Sequence, residues 1–115
     1  MQVTVETIQN IPVVKIHAEQ LDASNADDFK REVAPILTTN SRMVLDLGQL
    51  QFVDSSGCGA ILSCLKALTS AGGDLKLCGV SRPVRNVFEL IRLHRICEIF
   101  DTRETAVRAF TPGAK

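Results

Sequence analysis

After residue 42 the hydrophobic period of this chain switches three times from strand-like to helix-like, and that alternation limits what it can fold into. Met43 to Leu47 is a short apolar run, followed by Ile61, Cys64/Leu65, Leu68 and Ala71 at helical spacing. Leu75, Leu77 and Val80 form the next run, followed by a stripe of Val84, Val87/Phe88 and Ile91. Ile96 to Phe100 is the last, followed by Ala106, Val107 and Phe110. Strand-helix-strand units place their strands parallel and their helices against the sheet. Upstream, Val3, Val5 and Ile8 alternate with polar residues, Asn10 to Pro12 punctuates, and Val13 to Ala18 reads as a second strand, so the two form a hairpin. Ser24 offers an N-cap with Asp27 in capping-box position, and Ala26, Phe29, Val33 and Ile36/Leu37 form one buried stripe. Pro35 lies inside that stripe, which predicts one bent helix. Gly72-Gly73, Ser81 with Pro83, and Asp101 with Glu104 supply further helix stops and starts. Gly48 to Val53 reads as turn and loop. The expected order is β-β-α-β-α-β-α-β-α, an α/β fold.

A length of 115 residues allows one domain, with a core over about 2–110 and a tail at 111–115. A 45% hydrophobic share suffices for that core without disulfide or metal staples. The 13 basic and 13 acidic residues cancel, which argues against a dedicated nucleic-acid binder. Residues 1–54 nevertheless carry four basic and eight acidic groups, and the remainder nine and five, so net charges of −4 and +4 predict two differently charged surfaces. No stretch approaches 18 apolar residues, so no membrane span is expected. The first residues lack the basic and apolar regions of a signal peptide. Cys58, Cys64, Cys78 and Cys97 show no C-x-x-C spacing, and only His17 and His94 could join them, so buried free thiols are expected rather than zinc. Reduced thiols without an export signal suggest the cytoplasm. Cys58 is expected to be the most accessible of the four, with its thiol pKa lowered by a helix start.

The segment that carries chemistry is Asp54-Ser55-Ser56-Gly57-Cys58-Gly59, between a strand and a helix. The free amides and dipole of a helix N-terminus favour added negative charge. A serine there can cap the helix, hold an anion or accept a phosphate. Three cap-competent residues in succession exceed what one cap needs. Gly57 and Gly59 permit close backbone approach, or a tight turn. A nucleophilic serine is disfavoured: the flanks are not G-x-S-x-G, and neither histidine is placed near Ser55. No P-loop or dinucleotide fingerprint is present.

The chain resembles a single STAS domain of the bacterial anti-sigma factor antagonist class. The resemblance rests on the hairpin, Leu21-Asp22 before the first helix, and Val44-Leu45-Asp46-Leu47 leading to Phe52-Val53-Asp54-Ser55-Ser56-Gly57. It continues through Ser81-Arg82-Pro83-Val84-Arg85-Asn86-Val87-Phe88 and Ile99-Phe100. It implies a STAS fold, with a four- to five-stranded mixed sheet and about four helices. It also implies that Ser55 is phosphorylated by an anti-sigma factor that is a serine kinase, that phosphorylation ends binding to that partner, and that a PPM-type phosphatase restores it. The domain would be substrate and switch, not enzyme, and would need no cofactor or metal. Asp22, Asp54, Ser56, Gly57, Cys58 and Gly59 would form the partner-facing site. Two departures, Ala18-Glu19-Gln20 in place of a glycine and Cys58 in place of a leucine, imply tuning to a particular partner or drift from the switched role. The alternative is a non-phosphorylated STAS interaction subunit, in a lipid-transport complex or signalling assembly, with Ser55 and Ser56 as caps only.

Overall fold

A computed structural model of the chain describes residues 1–110; the tail expected at 111–115 lies outside the described residues. Seven strands and four helices follow in chain order: β1 (Val3–Ile8), β2 (Ile11–Ile16), β3 (Gln20–Leu21), α1 (Ala26–Thr39), β4 (Arg42–Asp46), β5 (Phe52–Val53), α2 (Ser55–Ser70), β6 (Asp74–Cys78), α3 (Arg82–Leu90), β7 (Ile99–Phe100) and α4 (Arg103–Arg108). A 3-10 turn at Leu93–Arg95 precedes β7. The main sheet has the order β1-β2-β4-β6-β7, with β1 antiparallel to β2 and every other pair parallel. This is the expected mixed α/β architecture. Gln9 and Asn10 both take positive φ, 50° and 68°, the two-residue turn whose twist suits a hairpin.

The strand order runs steadily across the sheet without reversing. Right-handed crossovers that advance in one direction leave all their helices on one face. The packing agrees: Phe29 and Val33 of α1, Ile61, Cys64 and Leu68 of α2, and Val84 and Phe88 of α3 share one core with Val14, Ile16, Met43, Leu45, Leu75 and Leu77. The other face would be bare, and α4 covers it. Ala106, Val107 and Phe110 close over Ile11, Val13, Val44 and Cys78. Ion pairs reinforce this smaller layer, where Arg103 bridges Asp46 and Glu6. Lys76 is buried there with its Nζ 2.5 Å from Glu98, 3.3 Å from Asp74 and 4.7 Å from the centre of the Phe110 ring. Burial opposes its charge, but the bonds to Glu98 and Asp74 outweigh burial and leave its pKa raised.

Several local expectations are corrected. Gly48 to Val53 is not all loop: Phe52–Val53 pairs in parallel with Gln20–Leu21 as a separate two-stranded ribbon. Two-residue strands carry no readable periodicity. Ser24 is not a cap, because Asp22 Oδ1 accepts both its amide, at 3.0 Å, and its hydroxyl, at 2.5 Å. Asn25 holds the N-cap position of α1. As expected, that helix continues through Pro35 as a single helix to Thr39. The last strand is Ile99–Phe100 rather than Ile96–Phe100, since the 3-10 turn takes up the residues before it. The capping box of α4 is made by Thr102 and Thr105, one residue after the expected Asp101 and Glu104. Gly72, at φ 84°, ends α2 as expected, with Gly73 N donating to Leu68 O and Gly72 N to Thr69 O.

All four cysteines are buried and free. Burial pushes Cys64, Cys78 and Cys97 up to about 12. Cys58 is the least buried at 5% exposure, yet its pKa is also raised, first by burial and then by the nearby Asp54 charge. A helix start can lower a thiol pKa, but at Cys58 burial and the Asp54 charge raise it instead. Titration of the native protein with a thiol reagent should give fewer than one fast-reacting group per chain, and all four after denaturation. A stoichiometric fast thiol in the native state would contradict this packing.

Candidate functional site

Asp54 sits at the N-cap of α2 in extended conformation. Its Oδ1 accepts the Gly57 amide at 2.9 Å, and its Oδ2 accepts the Ala23 amide at 3.1 Å. One carboxylate therefore both caps α2 and ties it to the loop that leads into α1. The Gly57 amide holds the Asp54 carboxyl below its ordinary value of 3.8; partial burial opposes this, and the Ala23 and Ser56 amides add to the lowering. The ribbon beside it brings the same two segments together, with Gln51 N and Phe52 N both donating to Glu19 O, at 2.7 and 3.0 Å.

Gly57 is the tightest point of the junction. A Cβ there would lie 2.1 Å from the Leu21 carbonyl oxygen and 2.7 Å from a Val53 methyl. Close approach, not turn geometry, is why this position lacks a side chain. Gly59 differs: nothing lies within 4 Å of where its Cβ would be, and it faces solvent. Its small size leaves open ground one turn beyond Ser55.

The structure separates the expected site residues into two groups. The Asp54 and Asp22 carboxylates are engaged locally, Asp54 by the Gly57 and Ala23 amides and Asp22 Oδ1 by the Ser24 amide and hydroxyl. Gly57 and Cys58 are buried. Ser55, Ser56 and Gly59 are exposed. Because Asp54 is the cap, neither serine caps α2; Ser55 is its first residue, and both hydroxyls lack a hydrogen-bond partner among the described residues. The sequence reading passed over Phe52, which is 55% exposed on β5, three residues before Ser55. No sequence signal marks it, because a two-residue strand is too short to show alternation; only in the folded chain does Val53 point in and Phe52 out.

His17 Nε2 is 2.7 Å from Thr4 Oγ1, and His94 is exposed in the 3-10 turn; neither bonds to Ser55. Among the described residues no three His, Cys, Asp or Glu side chains gather where they could hold a metal ion. No helix among them is long and apolar enough to cross a membrane. An open depression of about 480 Å³, lined by Asn10, Asn40, Arg42 and Phe110 among others, lies at the opposite ends of the strands from Ser55. Because the strand order never reverses, the sheet forms no crevice of the doubly wound kind.

Fold and site together define a small α/β interaction domain that presents free serine hydroxyls at a helix start. The chain belongs to the STAS domain family, whose family model matches residues 2–106. It is 29% identical over 109 residues to the anti-sigma F factor antagonist of Paenibacillus polymyxa, covering 93% of this chain and 92% of that one. BtrV of Bordetella bronchiseptica, assigned as an anti-sigma factor antagonist, is 31% identical over 111 residues, covering 96% and 95%. The unphosphorylated form of the anti-sigma factor antagonist SpoIIAA superposes with a TM-score of 0.78 at 22% identity, covering 94% and 95%, which shows a shared fold.

Three substitutions test the junction. Gly57→Ala should lose about 1–3 kcal/mol in urea unfolding, because the Leu21 carbonyl has to move. Gly59→Ala should be neutral or gain up to about 1 kcal/mol from helix propensity. Equal effects would refute the close contact. Asp54→Asn can keep only one of the two amide bonds, its NH2 being unable to accept the other, and removes the titration. Since the folded carboxyl titrates below 3.8, its contribution is complete above that value and is lost as pH falls through the folded value. The stability of the wild type should therefore fall more steeply with pH below about 4 than that of the Asn variant. Superimposable acid limbs would contradict the assigned role.

Proposed function

We propose that this chain is an anti-sigma factor antagonist, a regulatory protein rather than a catalyst, switched off by phosphorylation at Ser55. The observation that carries the proposal is the division of labour at the start of α2: Asp54 supplies the cap, so the exposed Ser55 hydroxyl has no structural task. A subunit that used its serines only as caps would need no hydroxyl there. Relatives named as antagonists of anti-sigma factors support the reading. SpoIIAA, known also in a phosphorylated form, shares the fold with a TM-score of 0.72. The partner is an anti-sigma factor with serine kinase activity, which docks over Ser55, Ser56, Gly59 and the Phe52 ring. A PPM-type phosphatase resets the switch.

Phosphorylation adds about −1.5 to −2 charges. A helix start accommodates that charge, so the fold survives. Asp54 and Asp22 are like charges nearby. Both belong to the same chain and repel the phosphate whether or not the partner is bound, so the loss of affinity comes from desolvating the phosphate at the interface. A penalty of about 3–4 kcal/mol there weakens binding by roughly 10²–10³-fold.

Incubation with the cognate kinase and ATP should add one phosphate, at Ser55 and not Ser56, and Ser55→Ala should abolish it. Ser55→Asp should bind the anti-sigma factor far more weakly than wild type, Ser55→Ala should remain competent, and all should melt alike. Phosphate found only on Ser56 would sink the assignment of Ser55. Equal affinity of the phosphorylated protein and the Ala variant would remove the charge-based switch.

A further inference from the structure

The corner where α3 ends holds apolar side chains that the core does not use. Leu90 is 82% exposed, Ile91 46% and Ile96 60%, three of the five large hydrophobic residues exposed among the described residues. The corner is pinned rather than frayed. Leu93 and Cys97, on either side of Ile96, are 1% and 2% exposed, and the Cys97 thiol donates to Leu75 O at 3.2 Å. Arg92 occupies the left-handed position that ends the helix, at φ 62°, where glycine is the usual residue.

Charge accounting at this corner leaves a surplus. The nearby acids are already engaged: Glu89 lies 3.8 Å from Arg85, and Glu98 holds Lys76. Arg92 and Arg95, both exposed, have no ion-pair partner among the described residues, and exposed His94 lies between them. The corner is thus a fixed aliphatic knob rimmed by two uncompensated guanidinium groups.

That chemistry narrows the occupant. A second copy docking symmetrically would set these arginines against each other. An anionic membrane is usually held by a longer cationic cluster with aromatic anchors, and this corner has two arginines and no aromatic ring. Arginine forks match carboxylates in paired bonds, and aliphatic side chains match a helix face. We propose that the α3 corner is a second docking surface, which takes an acidic amphipathic segment of a protein partner: aliphatic residues flanked by Asp or Glu. The hydroxyl of Ser81 donates to Leu50 O at 2.8 Å and anchors the start of α3 at the strand ends near the Ser55 loop. The corner lies at the far end of α3, so its binding should not depend on the state of Ser55.

The test is an amide NMR titration of the full chain with a synthetic twelve-residue peptide of Leu and Glu at helical spacing, beside the same peptide with Lys for Glu. The acidic peptide should shift the amides of residues 90–97 with sub-millimolar affinity, and the basic one should not. Combined Arg92→Glu and Arg95→Glu should weaken binding at least about tenfold, as should Leu90→Glu, while Ser55→Asp should leave it unchanged. Arg92→Gly, which relieves the positive φ, should bind more weakly while melting no lower. Shifts elsewhere, equal response to both peptides, or no binding would overturn the proposal. So would shifts at the corner with phosphatidylglycerol vesicles but not the peptide, or self-association abolished by Leu90→Glu.

Discussion

The arrangement of the site depends on one carboxylate. Asp54 accepts an amide from its own helix and another from the loop before α1, thirty-one residues away in sequence. Charge-assisted bonds of this kind are stronger than neutral ones. Here they lock the start of α2 against the entry to α1. The ribbon of β3 and β5 and the bare backbone of Gly57 make the same join from the other side. The serines that follow Asp54 are thereby presented on a rigid edge without taking part in holding it.

This arrangement suits the proposed switch, in which a surface modification acts without refolding. The groups that maintain the junction point inward, and those free to meet a partner point outward. A negative charge added outside meets a helix start that tolerates it and two carboxylates that oppose it. In the proposed switch the change would fall on the partner's side of the surface. The second face of the sheet is organised separately, with α4 held by Arg103 across Asp46 and Glu6 and with Lys76 beneath Phe110.

Much of the fold was legible because its signals are local and repeated. The stripe of Phe29 and Val33, the stripe from Ile61 to Leu68, and the short runs at 43–47 and 75–77 each read correctly, since burial of one face demands those periods. What escaped was short or competitive. Gln20–Leu21 and Phe52–Val53 are two residues each, below the length at which alternation shows. Ser24 and Asp101 looked like caps, but Ser24 turns to Asp22 while Asn25 takes the cap position without a side-chain bond to the helix, and Thr102 caps α4; local side-chain bonds compete with capping, and the folded loop decides between them.

The sequence alone determined the strand-helix alternation, the glycine stop of α2, and a serine pair at a helix start beside an aspartate. These follow from spacing and from the conformational preferences of single residues. Only the tertiary structure decided which of Asp54, Ser55 and Ser56 caps the helix, that both Asp54 oxygens go to backbone amides, and that Phe52 faces out while Cys58 faces in. Each of those outcomes depends on what a distant segment places opposite the side chain. A hydrogen bond from Ala23 to Asp54, or a carbonyl of Leu21 against Gly57, exists only after the chain has closed on itself.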